Sequence, residues 1–237
     1  MFFLLSGEGV TDMGAGQAGK EVCEGEDFLF GPMAMIVAQI VEARHHYSIL
    51  DGACGFVSEN VLAQRAAELK AAKKKLRLPG KKREKETRYF YNNARLLSRI
   101  AKAEAAARKD DVVGVLFRDA DTMASAGRGS WAAKRQSMLD GFDEEDFVKG
   151  VPMVPKPKSE AWLICALKTP PYLGCNSLED RSGNDASPKS LKKELAKLLQ
   201  REITPALLCE KVRDSIDARR ITMPSFNAFR DRLEEVI

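Results

Sequence analysis

The run Val112-Val113-Gly114-Val115-Leu116-Phe117, followed at once by Arg118-Asp119-Ala120-Asp121, decides the fold. Six nearly continuous apolar residues read as a strand buried on both faces, the pattern of a parallel sheet covered by helices. Upstream, Thr87 to Ala107 is amphipathic, with Tyr91, Leu96, Leu97 and Ile100 on one side. A second helix is predicted from Glu59 to Lys75, capped by Ser58. Pro32 suits a first helical position, and Met33, Ile36, Val37, Ile40 and Val41 repeat at helical spacing. Phe2 to Leu5 reads as a short buried strand, and Tyr47 to Leu50 as a second one. Downstream come a helix from Trp131 to Leu139, a strand from Val151 to Val154, and a helix from Ser159 to Leu167 with Ser159 as its cap. Strands alternating with helices predict an α/β fold with a mostly parallel sheet. After Pro170-Pro171 the pattern changes to a loop over 174–187 and helices near 188–200, 204–217 and 224–235. The expected organisation is an α/β domain over 1–170, with a basic helical insertion at about 59–108, and a helical C-terminal extension over 171–237.

The 237 residues are 44% hydrophobic and 30% charged, ordinary for a folded chain and too apolar for a disordered one. No stretch approaches the roughly 20 apolar residues of a membrane helix. Met-Phe-Phe-Leu-Leu at the start lacks a basic leader and a long apolar run, so the expected location is the cytoplasm, with no membrane contact. Five widely spaced cysteines and no C-x-x-C predict neither a disulfide framework nor a structural zinc site. The two histidines, His45 and His46, read as a solvated helix end. Charge is uneven. Residues 70–88 carry ten basic residues against two acids, a local +8 in a chain whose net charge is +4. Such a block suits a polyanion, and Lys73, Lys74, Lys75, Arg77, Lys81, Lys82 and Arg83 are the candidate nucleic-acid contacts, although a solvated loop is the plainer reading of any charge run.

Ligands of an open parallel sheet bind beyond the carboxyl ends of its strands. The first strand leads into Glu8 and Asp12, the central one into Asp119 and Asp121, and the last into Lys156, Lys158 and Glu160. Converging carboxylates repel unless cations neutralise them. Hard oxygen donors of this kind suit Mg²⁺ or Mn²⁺, which activate water and offset charge on a phosphodiester. Each piece has a plainer reading: a D-x-D is a common turn, and Glu160 in a first helical turn complements the helix dipole.

The loop Glu8-Gly9-x-Thr11-Asp12 after an apolar strand, with Asp119-x-Asp121 after another, resembles the TOPRIM domain. Val151-Pro152-x-x-Pro155-Lys156-Pro157-x-Ser159-Glu160-Ala161-Trp162-Leu163 and Ser182-Gly183-Asn184-Asp185-x-x-Pro188-Lys189 are similar to stretches of its overcoming-lysogenization-defect (OLD) nuclease branch. The resemblance spans about residues 1 to 190. It implies a TOPRIM-like fold and a metal-dependent nuclease cleaving DNA or RNA. It implies Glu8 as metal ligand or general acid/base, Asp119 and Asp121 as metal ligands, and Asp12 and Glu160 as further acids. It implies a cation for the transition state from Lys156 or Lys158, with Lys158 counted among the catalytic residues. It also implies a separate ABC-type ATPase partner and a role in bacterial anti-phage defence. The basic insertion at 70–88 departs from the minimal domain. The rival expectation is a catalytically silent regulatory or scaffold subunit of an ATPase complex.

Two patterns read as decoys. Gly14-Ala15-Gly16-Gln17-Ala18-Gly19-Lys20 matches both the dinucleotide fingerprint and the phosphate-binding loop, but no strand precedes it directly, and Glu21 stands where the latter needs Ser or Thr. It reads as a flexible glycine loop, with a nucleotide-binding switch as a third, weaker hypothesis. Trp131 and Tyr89-Phe90-Tyr91 read as core rather than as base-stacking platforms.

Overall fold

A computed structural model describes residues 1–72, 85–120 and 130–237. Its centre is a five-stranded sheet of β1 (Phe2–Gly7), β3 (Cys23–Glu24), β5 (Cys54–Ser58), β6 (Val112–Phe117) and β7 (Gly150–Met153), in the order β3-β5-β1-β6-β7. The last four strands of that order are parallel, and β3 runs antiparallel at one edge. Phe3 pairs with Val113 and Leu5 with Val115, so alternate side chains along both strands enter the same layer.

One layer holds Phe3, Leu5, Val113, Val115 and Phe117 with α1 (Pro32–His45), α5 (Ser159–Leu167), α7 (Pro205–Ser215) and α8 (Pro224–Val236). The other holds Phe2, Leu4, Val112 and Leu116 with α2 (Glu59–Ala72), α3 (Lys85–Arg108) and α4 (Trp131–Asp143). Apolar strands pressed between two helical layers are what the sequence of β6 predicts. The stretch expected as a basic helical insertion supplies α2 and α3, whose Leu62, Phe90 and Leu97 are core residues.

Past Pro171, α6 (Leu191–Leu199), α7 and α8 fall where the periodicity places them. They join the core of α1 and α5. Trp162 of α5 is fully buried, edge-on to Phe226 at 4.9 Å and stacked on Phe229 at 6.0 Å. Its indole N–H donates to Ser225 Oγ at 2.9 Å, and the Ser225 N–H donates to the buried Glu179 carboxylate at 2.7 Å. A helix start and a large aromatic are thus fixed together with their polar groups satisfied.

Four expectations need correction. Residues 47–50 are not a strand: a turn around Ser48, whose Oγ accepts from the Leu50 N–H, drops Ile49 into the core, and the strand is Cys54–Ser58. The glycine-rich stretch is not a free loop. Gly14–Gly16 (β2) pairs with Phe28–Phe30 (β4), and β3 joins the main sheet. Gly14 has φ +122°, and a Cβ there would lie 2.2 Å from the Leu29 carbonyl oxygen, so packing rather than a phosphate accounts for it. Ser159 is the first helical residue of α5 rather than its cap, which is Lys158. Cys165 and Cys175 form one disulfide, because the turn after α5 returns the chain to it, Tyr172 N–H donating to Cys165 O at 2.8 Å. Cys23, Cys54 and Cys209 are free and buried. His45 and His46 lie exposed at the end of α1, as read.

Candidate metal centre

α1, after β1, covers one face of the sheet, and α4, after β6, covers the other. The chain therefore leaves adjacent strands in opposite directions. This opens a crevice at their carboxyl ends, the switch point where open α/β sheets bind ligands. Glu8 follows β1 and Asp119 follows β6, one on each side of it.

Three strand-end segments are tied together there. The Asp119 N–H donates to Glu8 Oε1 at 2.6 Å. The Ser159 N–H, at the start of α5, donates to Asp119 Oδ1 at 3.0 Å, and Ser159 Oγ donates to Asp12 Oδ1 at 2.5 Å. Thr11 Oγ1 donates to Asp12 Oδ2 at 3.1 Å. Asp12 is also held through its backbone, where its carbonyl accepts the Met33 N–H at 3.0 Å as α1 begins. A Cβ on Gly31 would sit 2.2 Å from that same carbonyl oxygen, so only glycine lets the helix entry pass so close. Glu160, next to Ser159, is half-buried, and its Oε2 is buried with no hydrogen-bond partner among the described residues.

Four acids in one partly buried crevice resist ionisation. Burial pushes the Glu8 carboxyl up to about 7, against the pull of the Arg118 charge and the Asp119 N–H. Burial, then the charges of Asp12, Glu8 and Glu160, hold Asp119 well above the carboxylate range. Asp12 is raised by burial against its hydroxyl donors Ser159 and Thr11, and Glu160 by burial and the charge of Asp12.

Among the described residues three cations answer these charges: Lys192 acts on Asp12 by its charge, and Lys158 and Arg118 lie nearer. Lys158 Nζ lies 3.0 Å from Asp185 Oδ1; burial works against its charge, but Asp185, Glu160 and Asp119 hold its affinity for the proton above the usual lysine value. Lys156 instead turns to Asp180 at 3.6 Å and is more exposed. Lys158 is therefore the lysine that faces the crevice. Arg118 is fully buried and was not anticipated as a site residue. Its Nη1 donates to Phe117 O at 2.6 Å, its guanidinium lies 5.7 Å from the Tyr89 ring centre, and its Nε and Nη2 have no partner among the described residues. Alternation past β6 was the available signal: Asp119 turns to α5, so Arg118 turns to the other layer.

Among the described residues no three acids, histidines or cysteines stand as a finished metal cage. Asp121, the second acid of the D-x-D, lies outside those residues, as do Lys73, Lys74, Lys75, Arg77, Lys81, Lys82 and Arg83. The donor chemistry nevertheless fits a hard divalent cation. It offers carboxylate oxygens from three segments, a buried Glu160 oxygen with nothing to bind, and raised proton affinities that a cation would reverse. The aromatic candidates belong to the structure: Phe90 is core, Trp131 Nε1 donates to Val154 O at 2.7 Å, and Tyr89 OH donates to Glu59. Comparison of the chain with protein-family models, with curated proteins and with solved structures gives no match. Function is therefore inferred from this geometry.

Proposed function

We propose that the chain is a Mg²⁺- or Mn²⁺-dependent phosphodiesterase of TOPRIM type that cleaves DNA or RNA. The observation that carries this reading is the junction of Glu8, Asp12, Asp119 and Glu160 at the switch point between β1 and β6, stitched through Ser159. Glu8, Asp12, Asp119 and Glu160 would hold the cation, with Asp121 as the further acid of the D-x-D. When bound, the cation supplies Lewis-acid activation of water and neutralises charge on the phosphate. The chain's own residues do the rest. Ser159 fixes the Asp119 and Asp12 oxygens by two hydrogen bonds from one residue. Glu8 keeps its proton up to about 7 without a cation and would be held ionised, as a ligand, once the cation is bound. Lys158 offers a cation to the charge that develops on the phosphoryl oxygens.

The basic block extends the same reading. The described chain resumes at Lys85, one turn before Tyr89, whose hydroxyl donates to Glu59 at the start of α2. This brings the C-terminal flank of the block to the carboxyl edge of the sheet, where a nucleic-acid backbone approaching the acids would pass. A separate ABC-type ATPase partner and a defence role belong to the proposal through the resemblance alone.

The test is incubation with plasmid DNA and with structured RNA in Mg²⁺ or Mn²⁺. Cleavage is expected for the native chain and is lost in Asp119→Ala. Cleavage that persists in Asp119→Ala overturns the site. A chain that neither binds Mn²⁺ nor cleaves is the silent subunit instead.

A further inference from the structure

Gly7 and Gly9, on either side of Glu8, line one wall of a cleft of about 640 Å³. The opposite wall is the first turns of α2, and the turn after β2 closes the far end. Pockets for small ligands span roughly 300 to 1,000 Å³. The cleft is therefore of ligand size, and the two glycines that flank Glu8 join it to the strand end that carries the site, although Glu8, Asp12, Asp119 and Glu160 do not themselves line it.

Its cations are already paired. Lys20 Nζ is 2.5 Å from Asp27, and Arg65 is 2.7 Å from Glu21 and 3.1 Å from Glu68. Glu59 accepts from Tyr89 OH. Among the described residues no cation in the cleft is left over for a phosphate, and the acids there, Glu59 among them, would repel one. The remaining polar groups are neutral: the amides of Asn60 and Gln64, one turn apart on the exposed side of α2, the Gln17 amide, the Ser58 hydroxyl that accepts the Val61 N–H, and the backbone of residues 15–19. Asn and Gln amides pair in two-point fashion with base edges.

We propose that this cleft is a nucleoside subsite, receiving the base and sugar of the nucleotide whose phosphate lies against Glu8 and Asp119. Its placement of the phosphate rests on the phosphodiesterase reading above. The glycine-rich segment thus takes part in binding as a wall for a base, not as a phosphate cradle. Gln64 currently donates to Glu68 at 3.1 Å across the solvent-exposed rim and would exchange that bond for one to the base.

The test titrates the full chain calorimetrically with the four ribonucleoside 5′-monophosphates, ribose 5-phosphate and inorganic phosphate, in Mn²⁺. At least one nucleotide is expected to bind about tenfold more tightly than ribose 5-phosphate. Asn60→Ala with Gln64→Ala, both on exposed positions of α2, is expected to erase that margin while leaving Mn²⁺ affinity unchanged. Equal affinity for nucleotide and sugar phosphate, or a margin that survives the double substitution, overturns the subsite. Mn²⁺ titrated alone reads the metal centre separately. If it gives no heat, the phosphodiesterase reading falls, and the free nucleosides titrated in EDTA then decide the cleft: binding that needs Asn60 and Gln64 supports it, and no binding overturns it.

Discussion

Glu8 is where burial, charge and hydrogen bonding meet in one side chain, and its balance predicts how the protein responds to pH. Its carboxyl holds a proton up to about 7, against 4.5 for a free glutamate. Between those values the folded chain keeps a proton that the unfolded chain has released. Stability therefore falls as pH rises through that window, by about 3 kcal/mol once complete. Asp12, Asp119 and Glu160 are raised as well, and each acts in the same direction. Urea unfolding in EDTA at pH 5 and pH 8 should show the loss, and Glu8→Gln should shrink it. Equal pH dependence in the two proteins would contradict the burial that sets this group. If the crevice holds Mn²⁺ as proposed, Mn²⁺ reverses the trend, because a ligand bound only by the folded state stabilises it and the acids bind it only when deprotonated. The melting temperature is expected to rise more on adding Mn²⁺ at pH 8 than at pH 5. Lys158 is tested by rate instead: Lys158→Met should slow cleavage about 100-fold while Mn²⁺ affinity holds or rises, since a competing positive charge is removed.

At the scale of elements, the first turn of α5 does more than start a helix. Ser159 lends its backbone N–H to Asp119 and its hydroxyl to Asp12, so α5 sets the spacing of two acids that lie far apart in sequence. Groups that orient metal ligands typically govern affinity by 10- to 100-fold. Ser159→Ala keeps the N–H and loses the hydroxyl, so Mn²⁺ affinity should drop about tenfold with the fold intact, read by calorimetry and circular dichroism; unchanged affinity would leave Ser159 a purely local helix residue. The sequence shows Ser159 before Glu160 but not this double duty, which depends on where two other loops end. The α/β class, β6, α5 and the C-terminal helices were legible because each carries its own periodicity or apolar run. Cys54–Ser58 was not, because glycines at 52 and 55 disguise a strand whose partners on either side are Phe3–Gly7 and the short β3. The glycine segment misled for the reverse reason: its close backbone contacts are long-range, and composition alone reads them as freedom.

Across the whole molecule, a slightly acidic body carries one strongly basic block between α2 and α3. Acids at the crevice repel a nucleic-acid backbone, so productive approach needs positive charge nearby to offset them. Contacts between lysines and phosphates release condensed counterions, and log K then falls linearly with log salt by about 0.7 to 0.9 per phosphate neutralised. Binding of a labelled oligonucleotide, with Ca²⁺ in place of Mg²⁺, is expected to weaken steeply between low and moderate salt. Replacing Lys73, Lys74 and Lys75 together by glutamine should flatten the slope by about 2 to 3 units if each meets a phosphate. Mn²⁺ affinity should be unaffected, because the proposed metal ligands lie in other segments. A slope that the triple substitution leaves unchanged would remove the block from the binding surface without touching the metal centre, whereas lost cleavage with an unchanged slope would place those lysines in a step after binding. The proposed attraction of phosphate by the block and the proposed chemistry of the crevice are thus separable by a single salt titration paired with a cleavage assay.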